Sequence, residues 1–168
     1  MQFARRTAVI AVIATLALSP RAFAQQKATG VAQINRAEIG PQIGYGSNSV
    51  KFFIGAQFAY PIVNRLDIYP SFQYYFPGHD FHIWSLGGNL RYWPKLNIAN
   101  SGLYFGGGVD VAHTSVSGSD ASATNIGLGL LSGWQFYTKS KVFPFAQVRV
   151  VLGDADRVEF GGGLNFRL

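Results

Sequence analysis

The last eleven residues of the chain, Val158-Glu-Phe-Gly-Gly-Gly-Leu-Asn-Phe-Arg-Leu168, alternate without a break. Val158, Phe160, Gly162, Leu164, Phe166 and Leu168 fall on one face; Arg157, Glu159, Gly161, Gly163, Asn165 and Arg167 fall on the other. A period of two is the geometry of a β-strand, whose successive side chains point to opposite faces. An apolar face that runs to the terminal carboxylate is a strong constraint, because chain ends in water usually fray. Such a face needs an apolar surrounding along its whole length.

Seven earlier segments repeat the pattern, so strands are expected at about 38–47, 50–60, 66–76, 80–93, 102–115, 122–137, 142–152 and 157–168. In the second, Phe52, Ile54, Ala56, Phe58 and Tyr60 oppose Lys51, Phe53, Gly55, Gln57 and Ala59. In the sixth, Ile126, Leu128, Leu130, Trp134 and Phe136 oppose Asn125, Gly127, Gly129, Gly133 and Gln135. One face is thus continuously bulky and apolar. The other mixes Gly, Asn, Gln, Tyr and isolated charges, and is too poor in Lys and Glu for a face in water. It reads as the narrow polar interior of an inside-out barrel, with the apolar face toward lipid. The fold class expected is all-β: an eight-stranded antiparallel up-and-down transmembrane barrel. Pro41, Pro70 and Pro144 fall inside predicted strands, and a closed barrel has no free edge for them, so bulges or breaks are expected there.

The N-terminus reads as an export signal. Arg5 and Arg6 precede an apolar run from Thr7 to Ser19, too short to span a bilayer, and Ala22-Phe-Ala24 is a small-residue cleavage site. Residues 1–24 are therefore expected to be a signal peptide, 25–37 a periplasmic tail and 38–168 the barrel. Removing 24 residues from 168 leaves 144, and losing Arg5, Arg6 and Arg21 from the 14 basic residues leaves 11 against 8 acidic ones. The basic excess thus belongs partly to the signal, and a nucleic-acid partner is not expected. With no cysteine, neither disulfides nor thiolate metal sites are available.

Signal, eight hairpin-linked strands and a hydrophobic-ended last strand together resemble the small OmpA/OmpX-type outer-membrane barrels of Gram-negative cell envelopes. The resemblance covers 38–168 and is architectural. It implies an integral outer-membrane protein with both termini in the periplasm, probed there by the barrel-assembly machinery through Phe166 and Leu168. Outer-membrane lipid and lipopolysaccharide are the implied surroundings, the monomer the implied state, and no cofactor is implied. Outer loops then fall near 47–50, 77–80, 116–121 and 153–156, and inner turns near 61–65, 94–101 and 138–141. Tyr60, Tyr92, Trp93, Phe105, Phe136 and Phe166 are expected to girdle the inner interface, and Phe52, Tyr74, Phe76 and Trp84 the outer one.

The family hosts structural anchors, adhesion barrels and lipid-modifying enzymes, and architecture does not choose among them. The leading expectation is a non-enzymatic barrel, structural or interacting with lipid and small partners; the alternative is a lipid A-modifying hydrolase. For the latter, His113 and Ser115 share a face and Asp120 is a candidate to orient the histidine. This His-x-Ser resembles an element of outer-membrane lipid A deacylases, although Val116 stands where that family has Asn. His79, Asp80 and His82 are candidate metal ligands, short of a fourth partner. Gly153-Asp-Ala-Asp156 is a candidate to bridge a cation to lipopolysaccharide, against a solvated turn. Gly106–Gly108 and Gly161–Gly163 are expected to let rings lie over bare backbone.

Inside, charges are expected to pair and plug the bore, since an eight-stranded interior is one that side chains fill. Counting out from the loop near 79 sets Tyr75 against Ile83, Ser71 against Gly87 and Asp67 against Arg91. The loop near 155 sets Arg149 opposite Gly161 and diagonal to Glu159, with Asp110 approaching Arg149 across the bore. Tyr69, Tyr75, Tyr104, Phe143 and Phe145 are expected to fill the rest. For the leader, N-terminal sequencing of the exported protein is expected to begin at Gln25, and a chain retaining Met1 would refute cleavage.

Overall fold

Each alternating segment forms a strand. The computed structural model describes residues 36–47, 52–77, 81–96, 98, 100–118, 121–154 and 156–168. The expected signal and nearly all of the expected tail lie outside the described residues, as do His79, Asp80 and Asp120. The strands are β1 Glu38–Gly46, β2 Phe52–Val63, β3 Leu66–Phe76, β4 Phe81–Tyr92, β5 Ser101–Val116, β6 Ser122–Phe136, β7 Val142–Gly153 and β8 Arg157–Arg167. Each pairs antiparallel with its sequence neighbours, and β8 returns to β1, so the sheet closes. Both described termini lie at one end, called here the terminal end; the other is the distal end.

The sheet is inside-out. Along β4, Ile83, Ser85, Gly87, Asn89 and Arg91 are buried while Leu86, Leu90 and Tyr92 are exposed. The other strands follow the same rule, with one run of three buried residues at Arg149, Val150 and Val151 in β7, so Gln42, Gln57, Gln73, Gln135 and Asn165 are buried and Ile43, Ile54, Val109, Leu128 and Phe160 are not. A wall of exposed aliphatic and aromatic side chains around a polar bore is stable in hydrocarbon and unstable in water. Closure also gives every strand two partners, so no edge is left unpaired in the low-dielectric layer.

The prolines bring breaks in pairing on one side and no bulges. Pro41, Pro70 and Pro144 sit in regular register against Ala56, Gly88 and Leu164, without bulges. On their other side the ladders thin out. β1–β8 pairing passes from Ile39–Phe166 to Gln42–Gly163, and β2–β3 from Gln57–Ser71 to Tyr60–Ile68. β6–β7 stops at Gln135–Phe145, one residue short of Pro144. In an antiparallel sheet the N–H of one residue serves one neighbour only, so a proline costs one ladder bond and leaves the register intact. A register shift falls instead between Pro61 and Val63, just before the turn at Arg65, whose φ is 71°.

Two further expectations are corrected. Trp93 is not part of the girdle: it is 3 % exposed and packs inside with Ala59, Tyr69, Tyr104 and Leu131. It continues the inward parity of Ile83 to Arg91 past the end of β4. The other expected girdle residues face outward, with Tyr60, Tyr92, Phe105, Phe136 and Phe166 exposed toward the terminal end. The β7–β8 hairpin is also two residues tighter than expected, setting Arg149 against Glu159 rather than Gly161. Its turn is closed by the Gly153 amide donating to Asp156 Oδ1 at 2.8 Å, and Gly153 has φ 144°, which a side chain would strain.

β8 is the closing strand, held by β7 on one side and β1 on the other, and its last amide donates to the Ala37 carbonyl at 3.0 Å. Replacing Phe166 and Leu168 together with Asp puts two carboxylates on its lipid face. Loss of the heat-modifiable folded band in unboiled gels is expected, and assembly at the wild-type level would refute the role of these side chains.

Candidate functional site

The bore holds the chemistry. At the terminal end, Asp67 and Arg91 are cross-strand partners on β3 and β4. Arg91 donates from Nε at 3.0 Å and Nη2 at 2.7 Å to the same Asp67 oxygen, Oδ2, which also accepts from Trp93 Nε1 at 2.8 Å. The guanidinium lies 4.6 Å from the Trp93 ring centre, 4.7 Å from Tyr69 and 5.1 Å from Tyr104. Desolvated contacts of this type contribute about 2 kcal/mol or more, so the rings help hold a cation that is 1 % exposed. Glu38 Oε2 is 3.7 Å from Arg91 Nη2 and completes the cluster from β1.

From Glu38 a chain of amides runs around the wall. Gln135 Nε2 donates to both Glu38 oxygens at 3.1 and 3.2 Å, and Asn165 Nδ2 donates to Gln135 Oε1 at 2.8 Å. Gln57 Nε2 donates to Asn165 Oδ1 at 2.7 Å, and the Tyr69 hydroxyl reaches Gln57 Oε1. Further up, Tyr104 Oη donates to Gln147 Oε1 at 3.1 Å, while Gln147 Nε2 donates to Gln42 Oε1 at 2.9 Å. Tyr137 lids this end against Trp93 and Phe143, and burial raises the pKa of its hydroxyl, keeping it neutral.

Nearer the distal end four charges balance. Asp110 on β5 accepts from Arg149 Nη2 at 2.6 Å through Oδ2 and from Arg157 Nη2 through Oδ1. Arg157 Nε donates to Glu159 Oε1 at 2.6 Å, and the Tyr75 hydroxyl donates to the same oxygen at 2.6 Å. Arg149 crosses from β7 over Gly87, where a Cβ would collide with its Nη2; glycine there leaves the guanidinium its path. Phe53 and Phe145 likewise lie over Gly161 and Gly163.

The lumen residues named from the sequence are all buried in the bore. Asp67 contacts Arg91 and Asp110 contacts Arg149, but Glu159 pairs with Arg157 instead of Arg149. Arg157 shares the inward face of Glu159 and lies next to both acids, with the tighter hairpin setting it opposite Val151. Glu38, Arg157 and Trp93 were missed by sequence reasoning, although their inward parity on β1, β8 and β4 was readable. Tyr69, Tyr75, Tyr104, Phe143 and Phe145 are buried fillers.

The other candidates lie outside the bore. His113 and Ser115 have the outward parity of Phe105 and Val109, near the distal end. His113 Nδ1 is 3.0 Å from Thr124 Oγ1, and its ring is 5.3 Å from that of Trp84. His82 is exposed, with Nδ1 2.8 Å from Tyr74 Oη and Nε2 3.0 Å from Ser117 Oγ. Among the described residues no group of three or more His, Cys, Asp or Glu is placed to hold a metal ion.

Neither a family model nor a curated protein matches the chain. Solved structures do. The N-terminal β-barrel domain of Pseudomonas aeruginosa OprF aligns with TM-score 0.64 and 16 % identity over 80 % of this chain and 98 % of that one. Neisserial surface protein A aligns at 0.62 and 22 % identity, covering 79 % and 96 %. Ail, the attachment invasion locus protein of Yersinia pestis, aligns at 0.55 and 16 %, covering 79 % and 97 %. The shared feature is the fold: this chain has the closed eight-stranded architecture of the small outer-membrane barrels.

Asp110 pairs with two buried cations, so its removal leaves Arg149 without its ion pair and Arg157 with Glu159 alone. Asp110→Ala is expected to cost about 3–5 kcal/mol, the scale for breaking a buried pair, whereas Ser71→Ala removes only a 3.4 Å contact to Arg149. Equilibrium urea unfolding in lipid vesicles measures both, and a loss below about 1 kcal/mol for Asp110→Ala would refute the buried network.

Proposed function

We propose that this protein is a small integral outer-membrane barrel with periplasmic termini, non-enzymatic, whose bore is plugged and which acts through its lipid-embedded wall and short rims. The observation that carries the reading is the pairing of apolar exterior with a bore crossed by two tiers of ion pairs, Asp67–Arg91–Glu38 and Arg149–Asp110–Arg157–Glu159. The export signal expected at residues 1–24 and the likeness in fold to solved outer-membrane barrels support the location. Arg65, Lys95, Lys139 and Lys141 at the terminal end, against Asp154 and Asp156 at the distal end, support the orientation.

The plug follows from the energetics of confinement. Eight strands enclose a space about as wide as side chains can fill. Opening a path would separate charges that have little water to receive them, at a cost of several kcal/mol for each. Steady solute flow is therefore not the activity of this barrel.

A second reading, a lipid A-modifying hydrolase, draws support from His113 and Ser115 facing the membrane side of the wall. Against it, His113 Nδ1 meets the neutral Thr124 hydroxyl, the position that a carboxylate holds in a Ser-His-Asp arrangement. Mass spectrometry of lipid A from cells with and without the protein separates the two readings: an acyl chain lost in a Ser115-dependent manner would replace the first with the second.

In planar bilayers the purified barrel is expected to give little or no steady conductance at neutral pH. Stable openings on the nanosiemens scale would overturn the plugged reading, and recovery of the protein in the soluble periplasm would overturn the membrane one.

A further inference from the structure

The outward face changes chemistry within one cross-strand step. Phe72, Leu86, Val111 and Ile126 form a continuous row across β3, β4, β5 and β6, and all four are apolar. The next row toward the distal end, two residues along each strand, is Tyr74, Trp84, His113 and Thr124. Beyond it His82 pairs with Ser115. An apolar row bordered by Trp and Tyr marks the boundary between hydrocarbon and headgroups, so the two histidines sit at headgroup depth and face the lipid.

This band is built, not merely polar. His82 links β3 to the turn after β5 by contacting Tyr74 Oη at 2.8 Å and Ser117 Oγ at 3.0 Å. A neutral imidazole has one N–H and one bare nitrogen, so it donates to one hydroxyl and accepts from the other. The hydroxyl that accepts keeps its own hydrogen for an outside partner. His113 is fixed by Thr124 at 3.0 Å and leans on Trp84, with 5.3 Å between ring centres. Among the described residues of these rows there is no Lys, Arg, Asp or Glu. A phosphate headgroup calls for a cation. Hydroxyls and neutral imidazoles instead match a ligand whose groups both donate and accept, beside aromatic faces suited to its C–H surface.

We infer that the Tyr74–Trp84–His113–Thr124 row and His82 bind the sugar headgroup of an outer-leaflet glycolipid, whose acyl chains descend along Phe72, Leu86, Val111 and Ile126. The inference rests on the membrane reading above. It gives the short-rimmed barrel a specific lipid neighbour, selected by hydroxyl chemistry.

The test uses the full barrel in phosphatidylcholine nanodiscs doped with glucosyl diacylglycerol or, in parallel, with phosphatidylglycerol of the same acyl chains. Imidazole ¹H–¹³C signals of His82 and His113 are followed by NMR. A saturable shift is expected with the glycolipid, at a half-saturating fraction at least about tenfold below that for phosphatidylglycerol. Free glucose at the same bulk concentration is expected to leave the signals unmoved. The H82A/H113A double variant is expected to lose about tenfold in glycolipid retention, read by native mass spectrometry, while keeping its heat-modifiable band. Equal shifts with both lipids, or full retention by the double variant, would overturn the inference and leave the membrane reading standing. Failure of the wild-type barrel to enter nanodiscs would overturn both.

Discussion

Hydrocarbon offers nothing to an unpaired backbone amide, and the β1–β8 ladder is the structure's answer to that constraint. Seven of the eight strand pairings follow from local hairpins. The eighth joins Glu38 to Arg167 and Gly46 to Glu159, across almost the whole described chain. Without it two edges would stand open in the low-dielectric layer. Loop closure over such a separation is entropically costly, and it must be offset by the full set of ladder bonds together with the interior contacts that closure creates.

Closure at eight strands then dictates the interior. Eight strands leave an interior that side chains can fill, and its wall is polar, so buried charges find charges. Arg91 meets Asp67 across one hairpin, but Asp110, Arg149 and Arg157 come from β5, β7 and β8 and meet only in the closed barrel. The aromatic rings around Arg91 and the glycine under Arg149 accommodate these cations sterically as well as electrostatically. The ion pairs that tie distant strands together thus all lie inside the bore.

The outside obeys the opposite rule and is less uniform than an anchor requires. Most of it is aliphatic and aromatic, with Tyr and Phe at both borders. On β3 to β6 the distal border is a hydrogen-bonded array of imidazoles and hydroxyls. The two outward histidines that sequence reasoning weighed as metal or catalytic groups belong to this array, since His82 is occupied by Tyr74 and Ser117 and His113 by Thr124.

Alternation by itself determined the strands, their number and the face of most side chains, because successive residues of a pleated strand point to opposite sides. It determined that Asp67, Arg91, Arg149 and Glu159 point inward, and parity would have added Glu38, Trp93 and Arg157. It could not determine the β7–β8 register, since a slip of two residues preserves every face and so leaves no trace in the pattern. That slip decides whether Glu159 lies opposite Arg149 or diagonal to it, and the turn at Gly153 settles it. Nor could alternation show that Pro41, Pro70 and Pro144 each interrupt one ladder and leave the register intact, which depends on the neighbour each lost N–H would have served. Which buried charges pair across the bore was decided only by tertiary structure, because the distance between non-neighbouring strands exists only once the sheet has closed.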